Sequence, residues 1–216
     1  MIHILSHQNS VFQQFLAELR HEVLQKDRAR FVRNLKRIGQ IFAFEISKTL
    51  EYQQIEVPSP LGIANMKLCE QEIAICTVLR AGLPLYDGLI DYFDEADSCF
   101  IAAFRQHHPG KDSFDIEVNY VAAPDLEGKV VIIADTMLAT GASMVKVVQS
   151  LRHYGKPKAI HLVSVIASTE GVEYVKNAVS PQVHLWLGAI DEELTAQGYI
   201  VPGLGDAGDL AFGKKV

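Results

Sequence analysis

The residues from Asp135 to Ser143 have the side chains and spacing that suit a phosphate beside a sugar. A β-branched apolar run, residues 130–134, ends at a carboxylate, and Thr140-Gly141 then leads into a helical pattern with Ser143 in its first turn. Free N–H groups and the positive end of a helix dipole bind phosphate, and glycine permits close backbone approach. A carboxylate there would repel an anion, so Asp135 makes sense as an acceptor for ribose hydroxyls or as a partner for a cation. Together these features indicate a phosphoribosyl ligand.

Two other interpretations of the same stretch bear on this hypothesis. The segment lacks the lysine of GxxxxGK[ST], so it is not the P-loop of a nucleoside triphosphatase. Asp135 as a simple helix cap followed by an ordinary turn remains an open alternative.

A second stretch, residues 198–209, holds four glycines and Pro202 within twelve positions. This composition predicts a rigid irregular loop with exposed backbone amides, which can bind a flat base through main-chain N–H and C=O groups. Asp206 and Asp209 disfavour a bare phosphate, so the loop should face a neutral base, a sugar or a metal. The alternative is a flexible glycine-rich tail, but the apolar residues 199–201 argue against it, since flexible tails lack such anchors.

Arg80 follows an apolar run, residues 73–79, and should emerge at the same sheet edge as Asp135. The guanidinium fork suits a diphosphate. An arginine at the end of a strand is more often an exposed partner in an ion pair, and this is the competing interpretation of Arg80. His107 and His108 have no third ligand at a suitable spacing, so they are expected to lie on a loop surface and not to bind a metal.

The elements that must position these residues alternate strand with helix after residue 72. Apolar spacing predicts helices over residues 10–25 and 28–50, and a Pro/Gly turn between two short runs, 54–57 and 63–68, predicts a hairpin arm. The remaining predicted strands are 73–79, 98–104, 114–122, 129–134, 159–167 and 183–190, with helices up to residue 93 and over 142–154 and 169–178, and a polar loop over 105–113. This order predicts an α/β fold with a mostly parallel central sheet covered by helices on both faces. An arm that cannot bury both faces leans on a partner, so a homodimer or higher homo-oligomer is expected.

Composition narrows the classes of function. The 216 residues are 49% hydrophobic and 21% charged, with a net charge of −6, which does not attract nucleic acid by bulk charge. Three cysteines without CxxC spacing argue against a disulfide framework and favour a reducing, cytoplasmic location. The N-terminus lacks the pattern of a signal peptide, and no apolar run is long enough to span a bilayer, so a membrane partner is not expected.

Three of these segments resemble the uracil phosphoribosyltransferases, a family of type I phosphoribosyltransferases. Met-Leu-Ala-Thr-Gly at 137–141 is similar to the family's loop for 5-phosphoribosyl 1-diphosphate (PRPP), and 198–209 resembles its uracil-binding loop almost residue for residue. Leu-Arg-Ala-Gly-Leu at 79–83 resembles its pyrophosphate loop. The resemblance implies a single domain over residues 1–216, with N-terminal helices and arm at 1–70, a PRPP-binding core at 71–190 and a uracil-binding segment at 191–216.

The resemblance also implies roles for individual residues. Those implied to bind PRPP are Arg80, Arg105, Asp135, Thr136, Met137, Leu138, Ala139, Thr140, Gly141, Ala142, Ser143 and Asp206. Those implied to contact uracil are Ile200, Gly205, Asp206 and Ala207, largely through the backbone. Arg80, Arg105 and Asp206 are the implied catalytic residues, Mg²⁺ is expected to arrive with PRPP without a directly assigned protein ligand, and a cis peptide is expected at Arg80-Ala81.

The chain departs from the family pattern at four places. Thr136 stands where proline is usual, and Ala142 replaces a glycine. The hood segment, residues 120–124, lacks the usual lysine, and Leu210 stands where arginine is usual. The missing lysine and the Leu210 position bear on closure of the site over PRPP and on turnover more than on the identity of the ligand.

Three rival functions remain at this stage. A phosphoribosyltransferase-like sensor of UMP that binds RNA would need a basic face, and residues 20–37 do carry a run of cations: Arg20, Lys26, Arg28, Arg30, Arg33, Lys36 and Arg37. Spread around a helix, those side chains are more typical of a solvated face. The other rivals are a phosphoribosyltransferase for another base and a binding module without chemistry. The expected reaction is uracil with PRPP giving UMP and pyrophosphate, with small-molecule substrates and no nucleic acid.

Overall fold

The computed structural model describes residues 1–107 and 114–215, and for residues 104–107 and 114–117 it describes the backbone alone. The strands in this part of the chain are β1 Ile2–Ile4, β2 Tyr52–Ser59, β3 Gly62–Cys69, β4 Ile73–Leu79, β5 Asp97–His107, β6 Phe114–Ala122, β7 Val130–Leu138, β8 Ala159–Ser168, β9 Val183–Asp191, β10 Glu193–Leu194 and β11 Ile200–Val201. The α-helices are α1 Val11–Arg20, α2 Arg28–Ser47, α3 Leu83–Ile90, α4 Ala142–Leu151, α5 Thr169–Ala178 and α6 Ala207–Phe212.

Within the described residues, seven strands form the central sheet in the order β1-β9-β8-β7-β4-β5-β6. All neighbouring pairs are parallel except β5 and β6, which are antiparallel. Parallel strands need covered faces, and here both faces are covered. The predicted α/β fold with a mostly parallel sheet is confirmed.

The central strand β7 shows why both faces are apolar. Ile132 and Ala134 point into a core shared with α1, α2, α3 and α6, whereas Val131 and Ile133 point into a second core shared with α4 and α5. All four side chains are fully buried. This double burial explains the uninterrupted apolar run in the sequence and fixes the carboxyl end of β7 between two layers of helices.

The hairpin formed by β2 and β3 is confirmed, with antiparallel pairing from Tyr52 with Cys69 to Ser59 with Gly62. Several large apolar side chains along it are exposed, and Leu61 at its turn is fully so.

Several predicted boundaries are wrong. The first helix ends at Arg20, well before residue 25, and residues 105–107 belong to β5 and not to a loop, because they pair with β6; residues 108–113 lie outside the described part. The predicted strand 129–134 continues as β7 to Leu138, since its pairing with β8 persists to Ala167. The helix predicted over 142–154 gives way after Leu151 to a 3₁₀ turn. No helix of the described chain is long and apolar enough to cross a membrane.

Candidate active site

Asp135 lies near the carboxyl end of β7, where it is half-buried. Its Oδ1 accepts the backbone N–H of Thr136 at 2.7 Å. Burial raises the pKa of Asp135 to about 7, while the N–H groups of Thr136 and Met137 act in the opposite direction. A hydroxyl or a cation bound to Asp135 would stabilise its charged form and lower this pKa.

The loop after β7 is held in place by the neighbouring β8–α5 connection. The Ser168 hydroxyl donates to the carbonyl of Ala139 at 2.5 Å and accepts the N–H of Gly171 at 2.8 Å. Gly141 has φ 77°, and a Cβ there would lie 2.8 Å from the carbonyl oxygen of Gly171. Only glycine fits this turn, which directs the first amides of α4 towards the carboxyl edge of the sheet.

Arg80 follows β4 at the same edge. Its Nη2 donates to Asp209 Oδ1 at 3.1 Å, and Nη1 and Nη2 each lie 3.4 Å from the carbonyl oxygen of Gly213. Its Nε is buried and has no partner among the described residues. The cis peptide lies at Leu79–Arg80, so its predicted position at Arg80-Ala81 is wrong by one residue.

The segment 198–209 is less irregular than predicted. Its first part pairs as β11 with β10, a cis Val201–Pro202 bond comes next, and α6 begins at Ala207. Asp206 caps α6, because its Oδ1 accepts the N–H of Asp209 at 2.9 Å. Ordered pairing on one side and a helix start on the other hold the turn between them.

These segments meet at one cavity of about 160 Å³. Its walls combine the end of β4, the stretch of residues 135–143 and the start of α6, and the lining residues are Val78, Leu79, Arg80, Ala81, Ala103, Asp135, Ser143, Asp206, Gly208 and Lys215. The 135–143 and 198–209 segments therefore share a pocket, as any ligand spanning both requires. Lys215 was missed, since a lysine pair near the end of a chain carries no pattern that points to a site.

None of the other predicted site residues lines this cavity in the part of the chain that the structure describes. Side chains of Thr136 and Leu138 are buried in the protein, so any contact from them to a ligand would be through the backbone. Ile200 and Ala207 are buried as well, and Gly205 is exposed with φ 87°.

The remaining predicted positions divide by their place in the chain. Met137 belongs to β7, and the others form the loop and the first helical residue after it: Ala139, Thr140, Gly141 and Ala142. The side chain of Arg105 lies outside the described residues.

A larger cavity, of about 670 Å³, lies beside the amino ends of β4, β7 and β8. Four glutamates and one lysine are among its lining residues, which are Glu51, Tyr52, Gln53, Glu70, Gln71, Glu72, Glu127, Gly128 and Lys158. This excess of carboxylates repels phosphates, and ligands of open α/β sheets bind beyond the carboxyl ends of the strands. The smaller cavity is therefore the better candidate despite its size.

The donor set of the smaller cavity suits a hard cation shared with a phosphate. Asp135 and Asp206 contribute carboxylates and Ser143 contributes a hydroxyl, which are oxygen ligands of the kind Mg²⁺ prefers. Among the described residues, no group of three or more His, Cys, Asp or Glu side chains is arranged to hold a metal ion. Any Mg²⁺ at this cavity would then take most of its ligands from a bound diphosphate and from water.

Comparison with known proteins gives a consistent result. A family model for uracil phosphoribosyltransferase matches residues 6–214. The uracil phosphoribosyltransferase of Porphyromonas gingivalis is 43% identical over 214 residues, which are 98% of this chain and 98% of that protein. That of Thermococcus gammatolerans is 37% identical over 204 residues, covering 92% of this chain and 89% of the other.

Solved structures show the same similarity of fold. The AQ2163 protein from Aquifex aeolicus superimposes with a TM-score of 0.87 and 28% identity, over 100% of both chains. A hypoxanthine phosphoribosyltransferase from Staphylococcus aureus matches with a TM-score of 0.50 and 12% identity over 74% of each chain, a likeness of fold alone.

Proposed function

The chain belongs to the uracil phosphoribosyltransferase family, and from this premise we propose that it transfers the phosphoribosyl group of PRPP to uracil, giving UMP and pyrophosphate. The observation that carries the proposal is the shared cavity, which Asp135 and Ser143 of one segment line together with Asp206 and Gly208 of the other and with Arg80. A ligand with a sugar phosphate at one end and a base at the other would contact both segments at this pocket.

The ribose 5-phosphate half binds at the start of α4. The loop of residues 139–141 that follows β7 offers backbone amides, and the hydroxyls of Thr140 and Ser143 add donors at the positive end of α4. Asp135 accepts the ribose 2′- and 3′-hydroxyls. Each such hydrogen bond favours the ionised carboxylate and lowers the raised pKa that the free protein gives it.

The diphosphate half binds against Arg80. Arg80 lines the cavity, and its two terminal nitrogens are held only by Asp209 and the Gly213 carbonyl among the described residues. Arg105 and Lys215 supply further positive charge. Donors fixed where negative charge grows on the departing pyrophosphate stabilise the transition state.

Uracil is held by the backbone of residues 200–207, with contacts from Ile200, Gly205, Asp206 and Ala207. Its N1 attacks C1′ of the ribose as the bond to pyrophosphate breaks, C1′ gains oxocarbenium character in between, and the proton of N1 passes to water or to the departing pyrophosphate. Holding two substrates in line supplies a large part of the rate enhancement in such reactions. Asp206, on the cavity wall, is the described carboxylate best placed to contact both substrates.

Mg²⁺ belongs to the proposal as a companion of PRPP. When bound, it neutralises part of the diphosphate charge. Asp135 and Asp206 are the residues that would face it, directly or through water.

A homodimer and a cytoplasmic location complete the proposal. The dimer rests on the β2–β3 hairpin, whose exposed apolar side chains Tyr52, Leu61, Ile63, Met66 and Leu68 suit the surface of a second copy. The location rests on the odd number of cysteines in the sequence.

An assay of purified protein with uracil, PRPP and Mg²⁺ tests the proposed reaction, with cytosine, hypoxanthine and orotate as competing bases. We expect UMP and pyrophosphate from uracil alone, and an Arg80→Ala variant should lose about 100-fold in rate, as when one fixed transition-state donor is removed. Arg152→Ala, at an exposed arginine on the turn after α4, is the matched control. Absence of UMP with the wild-type protein rejects the reaction, and equal rates for both variants remove Arg80 from the site.

A further inference from the structure

A buried carboxylate at the end of β9 joins three parts of the chain that are distant in sequence. Asp191 is only 7% exposed. Both of its oxygens accept from Arg20, the last residue of α1, at 2.7 Å, and Oδ2 also accepts the N–H of Gly203 at 2.8 Å. Burial raises the pKa of Asp191, but Arg20 and the Gly203 N–H outweigh it and hold the pKa below its usual range.

Gly203 is the point at which this pair meets the segment proposed to hold uracil, residues 200–207, called here the base loop. Arg20 Nη1 donates to the carbonyl oxygen of Gly203 at 3.0 Å, so both backbone polar groups of this one residue are held by the same ion pair. Gly203 has φ 55°, and a Cβ there would lie 2.1 Å from the carbonyl oxygen of Ile200. The turn is therefore tight and fixed from both sides.

The position of this turn sets the geometry of the uracil contacts. It separates Ile200 from Gly205–Ala207, and the proposed function assigns both sides of it to the base. A rotation of the Gly203 peptide would move one set of contacts relative to the other. We propose that Arg20 and Asp191 are positioning residues that hold the base loop in its uracil-binding conformation and thereby set the affinity for uracil, an inference that rests on the proposed function.

The fork geometry of arginine is what this role requires. One guanidinium reaches both carboxylate oxygens and the Gly203 carbonyl at once, which the single nitrogen of a lysine cannot do. An Arg20→Lys variant keeps the positive charge beside Asp191 and so avoids leaving that carboxylate unpaired, but it loses the simultaneous hold on Gly203.

The matched control is a second bidentate pair of the same kind. Arg30 donates from Nε and Nη2 to Glu18 at 2.8 and 2.7 Å, between α2 and α1, with no bond to the described base loop. Arg30→Lys therefore makes the same chemical change at a bidentate pair that involves α1 but not the base loop. It separates a loss of helix packing from a loss of loop positioning.

Steady-state kinetics of the two variants test the proposal. We expect Arg20→Lys to raise KM for uracil by about tenfold, the equivalent of one charge-assisted hydrogen bond, while KM for PRPP changes by less than about twofold. Asp191→Asn, which keeps an acceptor for Arg20, should raise the uracil KM in the same selective way. A uracil KM for Arg20→Lys equal to that of Arg30→Lys, or an equal rise in both substrates' KM values, overturns the proposal.

Amide hydrogen exchange of the unliganded proteins gives a readout independent of turnover. Exchange at residues 203–207 should be faster in Arg20→Lys than in the wild type and unchanged in Arg30→Lys. Unchanged exchange in Arg20→Lys rejects the positioning role. Wild-type protein that makes no UMP rejects the proposed function instead, and the exchange data still decide whether Arg20 holds the segment.

Discussion

Replacing Asp135 by asparagine should make the folded protein more stable while removing its ability to hold PRPP. The wild-type carboxyl has its pKa raised from 3.8 to about 7, because burial disfavours the charged form more than the Thr136 and Met137 amides favour it. Each unit of pKa corresponds to about 1.4 kcal/mol, so the ionised group costs the folded state up to about 4 kcal/mol at pH 8. Asparagine keeps an oxygen for the Thr136 N–H and carries no charge.

The sign of the pH dependence is set by the raised pKa. Between pH 4 and 7 the folded protein holds a proton on Asp135 that the unfolded chain has released, so the free energy of unfolding falls as pH rises through this window. The asparagine of the variant does not titrate. The advantage of Asp135→Asn should therefore be small near pH 4, grow with pH and level off above pH 7.

Thermal unfolding of the ligand-free proteins from pH 5 to pH 8 measures this difference. Because Asp135 borders an open cavity, where water reduces the penalty, we expect about 2 kcal/mol at pH 8, or about 4–8 °C in melting temperature for a chain of this length. Asp125→Asn is the control, since Asp125 is exposed and its carboxylate also accepts a backbone N–H, that of Glu127 at 3.0 Å. A melting temperature of Asp135→Asn at or below wild type at pH 8, or a gain independent of pH, refutes the reasoning.

Thermal unfolding also tests the second part of this prediction, the loss of PRPP binding. PRPP with Mg²⁺ binds the folded state and should raise the melting temperature of the wild type. The rise should be lost in Asp135→Asn, because an amide cannot accept hydrogen bonds from two ribose hydroxyls as a carboxylate does. An equal rise in both proteins removes Asp135 from the ribose site.

Three further predictions concern other parts of the molecule. Lys215→Gln should raise KM for PRPP several-fold, since Lys215 lines the cavity, whereas Lys214→Gln should not; equal values for the two variants exclude Lys215 from the site. Burial lowers the pKa of His161 to about 4, so the free energy of unfolding of the wild type falls by up to about 3 kcal/mol between pH 6.5 and pH 4. His161→Gln should reduce this loss of stability in acid. Identical pH profiles of denaturant unfolding in the two proteins would contradict this. Gln can still accept the hydrogen bond that Trp186 Nε1 donates to His161 at 2.9 Å. A Leu61→Asp, Ile63→Asp double variant should shift the mass measured by light scattering from oligomer to monomer, and a monomeric wild type would reject the dimer.

The sheet and the cavity-facing ends of its strands are predictable because their signals are local. An apolar run that is buried on both faces, as in β7, indicates a parallel strand without reference to anything else. Residues directly after such a strand lie at the carboxyl edge of the sheet, so the sequence alone predicts that Arg80 and Asp135 lie at the same edge. Strand ends are less predictable, because β7 continues past Asp135 through hydrogen bonds to β8 that no pattern in 130–138 encodes.

The short elements β1, β11 and α6 are not predictable from the sequence, for a related reason. β1 is three residues long and joins the sheet edge by pairing Ile2 with Leu185, so its existence depends on a partner strand that arrives late in the chain. β11 and α6 interrupt a segment whose glycines and proline predict an irregular loop. Pairing with β10 and the Asp206 cap override that composition.

The support of the base loop is the part of the site that sequence reasoning is least able to find. Arg20 belongs to a basic stretch that suggests a solvated face, yet its guanidinium lies against Asp191, 171 positions away, and Gly203, 183 positions away. Nothing in the spacing of Arg20 or of Asp191 predicts that meeting, since each is an ordinary residue at the end of an ordinary element. The residues that touch a ligand carry family patterns because chemistry constrains their type and order. Those that hold the ligand-binding backbone are constrained only by where the fold brings them, so the structure is needed to assign them.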